Sequence, residues 1–541
     1  MSDKEQPEEA NTPEPTTPAP SLFRNYISYG GIAIAAAALT SILLLILIEL
    51  TRGIDNPYAD LVVFIFIPSI LIFGLFVALM GALWERRRRK NLSPDQIGVL
   101  PIIDLNDPRR RRSLIVLSVL AFLFLFMSAF GSYRAFEYTE SVSFCGEACH
   151  SVMKPEFVSY KASPHAQIRC VECHVGSGAE AYVKAKFNGM NQLYGVITGH
   201  FNRPIHTPVT PPMRSATETC QKCHWAQKYH GEVIKVFNHY GFDEQNSLNQ
   251  TRMLIKVGGG DPATGPANGI HWHMNIANEV SFVSTDDRRQ VIPYVRFKDP
   301  NGNVTEYTTR NAEITPQQIA QAPKRIMDCI DCHSRPAHIY LSPNAAIDRA
   351  FDAGRLDVTL PFLKAQGAET LSKPYSTEDE ARKTIASDID NYYRTNHADL
   401  YSTKADSIRA AAAELQQIYS TYFFPEMKTD WSSHFDNIGH YNAQGCFRCH
   451  DGQHFSPEGK VIRNDCNICH TTIDQTFKGQ TIRSETGEFR HPVTLGDKNT
   501  WQCAACHKGD RAFKHPLNLG DISKFQCVEC HSGNFPKVPG F

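Results

Sequence analysis

The chain has 541 residues and a formal net charge of −1 at pH 7. That length allows several domains, and the near-neutral balance, with no basic tract interleaved with aromatics, excludes nucleic acid as an expected partner. The informative part of the composition is sixteen cysteines and twenty-two histidines.

In chain order, residues 1–23 are acidic and proline-rich and read as a disordered cytoplasmic tail. Three uncharged apolar runs follow, at about Ser28–Ile48, Leu61–Leu83 and Ser113–Tyr133, each long enough to cross a bilayer. Tyr29, Tyr58, Trp84 and Tyr133 stand near their ends, where interfacial aromatics belong. The first run has no small-residue cleavage pattern after it and another run behind it, which argues against a cleaved signal peptide. Arg86–Arg89, Lys90 and Arg109–Arg112 lie between the second and third runs, and only Arg52 is basic between the first and second. The positive-inside rule then gives a two-helix membrane hairpin at 24–84, a basic cytoplasmic loop at 85–112 and a third transmembrane helix at 113–138. The N-terminus is cytoplasmic and everything after the third helix lies on the outer side.

All sixteen cysteines fall in pairs followed directly by histidine. The pairs are Cys145 and Cys149 before His150, Cys170 and Cys173 before His174, Cys220 and Cys223 before His224, and Cys329 and Cys332 before His333. Then come Cys446 and Cys449 before His450, Cys466 and Cys469 before His470, Cys503 and Cys506 before His507, and Cys527 and Cys530 before His531. Seven read C-x-x-C-H and the first C-x-x-x-C-H. This is the attachment signal of c-type haem: two thiols add to the two vinyl groups of one porphyrin and the adjacent histidine takes an axial position on the iron. Paired cysteines with histidine also bind zinc, but eight pairs with histidine always in the same place leave that reading little room, and a disulfide framework does not explain the histidines. The expected cofactor content is eight haem c groups, or seven if the extra residue in the first motif prevents attachment.

The expected fold class is three N-terminal transmembrane α-helices plus a mainly α/irregular multihaem cytochrome c domain with a small β-rich insertion. Haems 1–4 belong to a domain at 139–340, with the β-rich insertion at about 231–310. Within it the turn Asp299–Asn303 between Val291–Lys298 and Val304–Thr309 predicts a β-hairpin. A helical linker segment spans 341–430, with Ser407–Tyr422 among its periodic stretches, and a C-terminal four-haem module spans 431–541. That module repeats a unit: His491-Pro492-Val493-Thr494-Leu495-Gly496-Asp497 leads to Cys503 as His515-Pro516-Leu517-Asn518-Leu519-Gly520-Asp521 leads to Cys527.

Six-coordinate irons need second ligands, and the histidines outside the motifs supply them. The candidates are His165, His239, one of His271 and His273, His338, His440, His454, His491 and His515, the last two carried by the duplicated unit; His206 and His434 are reserves. Met153, three residues after His150, is one helical turn away and is the candidate at the first haem. Bis-histidine ligation suits electron transfer because it leaves no vacant position for substrate.

Arg109–Tyr133, then Cys145–Met153, then Ser163-Pro164-His165 and Cys170–Val175 resemble the NapC/NirT family of membrane quinol dehydrogenases. The longer chain with its second haem cluster is similar to the inner-membrane multihaem cytochromes of the ImcH type. The resemblance implies oxidation of menaquinol from the membrane pool near the first haem, with electrons passed to periplasmic c-type cytochromes in anaerobic or metal respiration. It also implies that Met153 ligates the first haem, one residue further from the histidine than in the family pattern. A lysine after the second motif is implied at the quinol site, where Lys184 and Lys186 stand. The family's acidic partner is missing from Ala181–His200, where Asn191 or Gln192 stands instead. Competing readings are a membrane-bound terminal reductase, which needs one haem with an open site, and a passive electron conduit in a larger complex.

Overall fold

The computed structural model describes residues 21–52, 67–90, 106–148, 150–175, 179–205, 215–216, 218–225, 229–259, 269–274, 278–310, 314–440, 443–477 and 479–490. Five of the expected haem cysteines lie outside the described residues: Cys149 of the first motif, Cys503 and Cys506 of the seventh, and Cys527 and Cys530 of the eighth. His206, His491, His507, His515 and His531 lie outside them as well. The chain divides into two compact units, one of residues 1–137 with 177–184 and one of 138–176 with 185–541.

The first unit holds α1 (Tyr26–Arg52), α2 (Ile67–Arg89) and most of α3 (Pro108–Thr139). Among the described residues two helices are long and apolar enough to cross a membrane, within Tyr26–Leu43 and Ile67–Arg89. These support two of the three expected spans; the third run, Ser113–Tyr133, is helical throughout, inside α3. Helices α1 and α2 touch backbone to backbone through small residues. A Cβ on Gly31 would sit 2.3 Å from Ala78 N, and one on Gly74 would sit 2.7 Å from Ala35 N. Lipid offers no hydrophobic drive for helices to associate, so close packing and hydrogen bonds do it. Ser28 Oγ donates to the Ala78 carbonyl at 2.8 Å, and Asn25 Oδ1 accepts from Ser28 N at 2.7 Å.

The second unit begins with α4 (His150–Lys161) and α5 (Ala179–Thr198), the latter entering it at Ala185. Its main apolar core is helical: α6 (Pro343–Asp352), α7 (Leu363–Leu371), α8 (Glu378–Asn396) and α9 (Ala405–Tyr422). Ser342 caps α6 with Pro343 behind it, and Thr377 caps α8 ahead of Glu378, Asp379 and Glu380, whose charges suit a helix N-terminus. Ile385, Ile389 and Tyr393 at four-residue spacing meet Ile408, Leu415 and Ile418, all buried. The expected linker at 341–430 is therefore a packed helical core. Lys364 is buried among these helices with its ammonium on Asp348, and Asp348 also accepts from Tyr240 N at 3.0 Å.

Two antiparallel sheets complete the unit. The strands are β1 (Val233–Tyr240), β2 (Leu248–Ile255), β3 (Glu279–Val283), β4 (Tyr294–Lys298), β5 (Val304–Thr309), β6 (Arg325–Ile326), β7 (His454–Phe455), β8 (His470–Phe477) and β9 (Gln480–Arg483). They are ordered β1-β2-β8-β9 and β6-β3-β4-β5-β7. The β4–β5 hairpin turns where Asp299 accepts from the backbone of Asn301 and Asn303, with Gly302 at φ +86°. The β-rich stretch at 231–310 is not closed on itself. Strands from beyond residue 431 cover its edges, β8 on β2 and β7 on β5. An unpaired edge leaves backbone donors and acceptors without partners, and the later strands satisfy them. The expected boundary at 431 therefore cuts through both sheets.

Candidate functional site

Each described C-x-x-C-H stretch forms one tight turn. The backbone N–H of His224, His333 and His450 donates to the carbonyl of the first cysteine of its motif, Cys220 at 2.8 Å, Cys329 at 2.8 Å and Cys446 at 3.0 Å. Both thiols and the imidazole thus leave one turn of chain. In the third motif the N–H of Cys223 donates to the same Cys220 carbonyl at 3.1 Å, and the Cys223 side chain is exposed. Cys466 is exposed too, and the other described thiols are half-buried. The eleven cysteines described with their side chains are all free of disulfides. Cys149, Cys506 and Cys530, the second thiols of the first, seventh and eighth motifs, fall outside the described residues and keep their haem assignment from the sequence pattern.

Five motif histidines each face a second histidine. The ring centroids are 6.2 Å apart for His174 and His338, 6.2 Å for His224 and His165, and 6.5 Å for His333 and His271. They are 5.8 Å apart for His450 and His273 and 6.2 Å for His470 and His440. These separations also fall in the range of ordinary ring contacts, about 4.5–7 Å. A metal–imidazole bond of about 2 Å on either side, plus the half-widths of two rings, spans roughly 6 Å. The gap therefore fits one metal ion between the rings, and the pairs fit haem iron. Backbone carbonyls fix the rings: His165 Nδ1 hydrogen-bonds Pro336 O at 2.9 Å, His338 Nδ1 Glu156 O at 2.9 Å, His271 Nδ1 Val257 O at 2.6 Å, His273 Nδ1 Ile270 O at 2.9 Å and His450 Nδ1 Arg463 O at 2.5 Å. That leaves Nε2 of each ring for a metal, the usual division of labour in a ligating histidine. In the remaining pair, His440 and His470 keep a buried Nδ1 with no hydrogen-bond partner. Burial lowers the pKa of His174, His271, His273, His333, His440, His450 and His470, and pushes His338 down to about 4. Neutral imidazole is the form that ligates. Among the described residues no group of three or more His, Cys, Asp and Glu is gathered as a zinc site requires.

The expectation of one ligand from His271 and His273 is corrected: the short turn Ile270–Met274 presents both, His271 to His333 and His273 to His450. His454 is also corrected. It is 1% exposed, and both its ring nitrogens are occupied, Nδ1 by Asp451 at 2.8 Å and Nε2 by the Ile292 carbonyl at 2.7 Å, which pins β7 and faces neither nitrogen toward a motif histidine. His239 engages Asp348 through Nδ1 at 3.3 Å, which docks β1 on the helical core. His434 stacks on Tyr340 at 6.0 Å. Met153 is half-buried on α4, one turn after His150.

The motifs follow one another in space as in sequence. Cys145 and Cys170 hydrogen-bond, which raises the Cys145 thiol and holds Cys170 down to about 7. Cys173 and Cys220, Cys220 and Cys329, Cys332 and Cys446, and Cys446 and Cys469 are near enough for charge on one to raise the other.

Beside the first motif, Lys186 Nζ donates to Glu140 Oε1 at 2.7 Å and to Thr139 Oγ1 at 3.3 Å. The charges of both Glu140 and Lys186 act on the Cys145 thiol. Glu140 is buried, one residue past the end of α3. An acid from another segment thus stands beside Lys186, a relation that spacing along one helix has no means to reveal. Lys184 is exposed and lies two residues earlier, on a different side of α5.

Covalent attachment turns with paired histidine ligands in series define a multihaem c-type cytochrome. The model of the NapC/NirT cytochrome c family, N-terminal region, matches residues 107–233. The chain is 42% identical over 486 residues to the cytochrome c-type protein ImcH of Geobacter sulfurreducens, covering 89% of this chain and 95% of that protein. The chain belongs to the NapC/NirT cytochrome c family, as an ImcH-like multihaem member with covalently bound haem c and an apolar N-terminal membrane anchor. No solved structure matches it.

Proposed function

We propose that the chain oxidises a membrane quinol, menaquinol in this setting, at the outer face of the cytoplasmic membrane and delivers the electrons to periplasmic c-type cytochromes. In this reading α1, α2 and α3 all span the bilayer with the N-terminus in the cytoplasm. The chain carries eight haems, ligated in the described part by His174/His338, His224/His165, His333/His271, His450/His273 and His470/His440, and at the first motif by His150 with Met153.

The observation that carries the proposal is the Lys186–Glu140 pair, 2.7 Å apart, against the first motif and just past α3. A quinol must lose two electrons and two protons. Covalent haem supplies one-electron acceptance; the protons need protein groups. Lys186 hydrogen-bonds a quinol oxygen and stabilises negative charge on it as the hydroxyl proton departs. Glu140, 2.7 Å from the Lys186 ammonium, accepts that proton as a general base, releases it to water and takes the second in turn, one electron leaving with each. Thr139, within reach of Lys186, positions the ammonium. The five imidazole pairs leave no open position among the described sites, which favours electron transfer over terminal reduction.

The test uses the full holoprotein in lipid vesicles with a quinol analogue, against dithionite as a reductant that bypasses the site. Lys186→Ala and Glu140→Gln are expected to slow quinol-driven reduction about 10²-fold or more while dithionite still reduces every haem. Wild-type rates in both variants place the quinol site elsewhere, and wild-type protein that is inert to quinol alone establishes a conduit. The mass of the mature chain counts the haems: a value fitting seven removes haem from Cys145 and Cys149, whose motif carries the extra residue.

A further inference from the structure

Helix α5 (Ala179–Thr198) carries more than Lys186. Phe187, Met190, Leu193, Tyr194 and Ile197 are all exposed, from 53% to 75%. Their spacing of three and four residues places them on one side of the helix, within about a third of its circumference. Val196, on another side, packs against the cluster of Val152, Tyr340, Phe424 and Met427, so the helix is docked by one face and bare on another. Isolated exposed apolar side chains need no explanation, but a continuous stripe of five large ones does.

Two observations identify what covers the stripe. The first is continuity with the membrane anchor. Lys186 falls on the same side as the stripe and ties it to Thr139 and Glu140, where α3 ends. Tyr138 and Phe144, both exposed, pack edge to face there with centroids 5.4 Å apart, as aromatics do at a membrane surface. The second is charge. Ala181–Arg203 contains Lys184, Lys186 and Arg203 and no Asp or Glu. A helix with an apolar stripe and only basic charges beyond its first turn, where Glu180 stands, suits a bilayer surface rich in anionic lipid.

We infer that α5 is a second membrane contact of the haem domain, lying in the outer leaflet with Phe187, Met190, Leu193, Tyr194 and Ile197 among the acyl chains. The inference rests on the reading of α3 as a span and deepens the quinol site. It puts Lys186 at lipid depth, so a long-tailed quinol reaches it along the stripe without leaving the bilayer.

Native thiols are consumed by haem attachment, so one added cysteine can be labelled alone. Met190→Cys and Tyr194→Cys holoproteins carrying a nitroxide are placed in vesicles of phosphatidylethanolamine and phosphatidylglycerol, with Gln192→Cys, exposed on another side, as reference. Oxygen concentrates in lipid and a nickel chelate stays in water. The expected result is relaxation dominated by oxygen at 190 and 194 and by nickel at 192. Nickel dominance at all three positions, or exclusion of both reagents at 190 and 194 because porphyrin or another chain covers them, overturns the inference. A second arm reads function: Ile197→Asp should slow reduction by a long-tailed quinol at least fivefold and leave reduction by a short, water-soluble quinol unchanged. Equal loss with both quinols rejects the access route. The two proposals fail separately, because labels in water alongside an inert Lys186→Ala variant remove the lipid contact and leave the quinol site intact.

Discussion

His273→Ala isolates one claim of the ligand map. In the fold His273 faces His450 at 5.8 Å, and its Nδ1 is held by the Ile270 carbonyl at 2.9 Å. Removing the imidazole deletes one iron–nitrogen bond and one hydrogen bond, the latter worth about 1 kcal/mol. His271, two residues away, cannot substitute, because its ring is committed to His333 and its Nδ1 to Val257 O at 2.6 Å. The expected result is one five-coordinate, high-spin iron per chain, at the site of Cys446 and Cys449, with the other irons unchanged. The reduced variant should bind about one equivalent of carbon monoxide per chain where the wild type binds none at the described sites. Electron paramagnetic resonance counts the high-spin iron in the oxidised protein and a carbon monoxide titration counts it in the reduced one. His271→Ala should give the same signal from the site of Cys329 and Cys332, and the double variant two equivalents. A fully low-spin His273→Ala protein would refute the assignment of two haems to one turn.

Three further outcomes follow from the same geometry. His454→Ala should leave every haem low-spin but strand the Ile292 carbonyl and Asp451, lowering stability by about 3 kcal/mol in chemical denaturation followed by far-ultraviolet circular dichroism. Asp474 on β8 is held below the usual carboxylate range first by its hydrogen bond from Arg252 on β2, Nε to Oδ1 at 2.8 Å. Its stabilising contribution is therefore present above the ordinary carboxylate value of about 4 and lost as pH falls through the lower folded value, and Arg252→Ala should flatten the acid limb of stability against pH. Leu415→Ala, at a fully buried site beside Gly367, should cost about 2–5 kcal/mol and leave the haem spectrum of the folded protein unaltered.

What the sequence revealed and what it hid divide on a physical line. The attachment turns were legible because thiol, thiol and imidazole must leave one turn of chain, so their spacing is local. The β4–β5 hairpin was legible because Asp299 and Gly302 encode the turn. The distal ligands are not local. His165 and His338 are candidates by a count of histidines against irons, but only the fold brings them to His224 and His174. The same count admits His454, because a histidine hydrogen-bonded to a carbonyl and a carboxylate looks, in sequence, the same as one reserved for a metal. It also undercounted the turn Ile270–Met274, where an alternation of two residues sends His271 and His273 toward different partners. Glu140 was passed over because its relation to Lys186 exists only once α5 returns to the end of α3.

The pairing has a consequence for how the two haem clusters hold together. The second motif's His174 faces His338, from beyond the fourth motif, and the third motif's His224 faces His165, from before the second, so the two pairings interlock. The fifth motif takes His273 from the β-rich stretch, and β8, which begins at the sixth motif's own His470, pairs with β2 of that stretch. In the proposed ligation each of these haems, with two thioether links and two axial bonds, would join segments distant in the chain, and ligand binding to the native state alone stabilises it by mass action. A chain that ends before residue 338 lacks the second ligand of its second haem. One that ends before residue 450 lacks the partner of His273 and the outer strands of both sheets. In the proposed ligation the β-rich stretch thus joins the haems of the earlier motifs to those of the fifth and sixth, and the turn Ile270–Met274 holds ligands on both sides. In the same proposed ligation the fourth and fifth irons are held from a single turn of chain, which ties their separation to that turn.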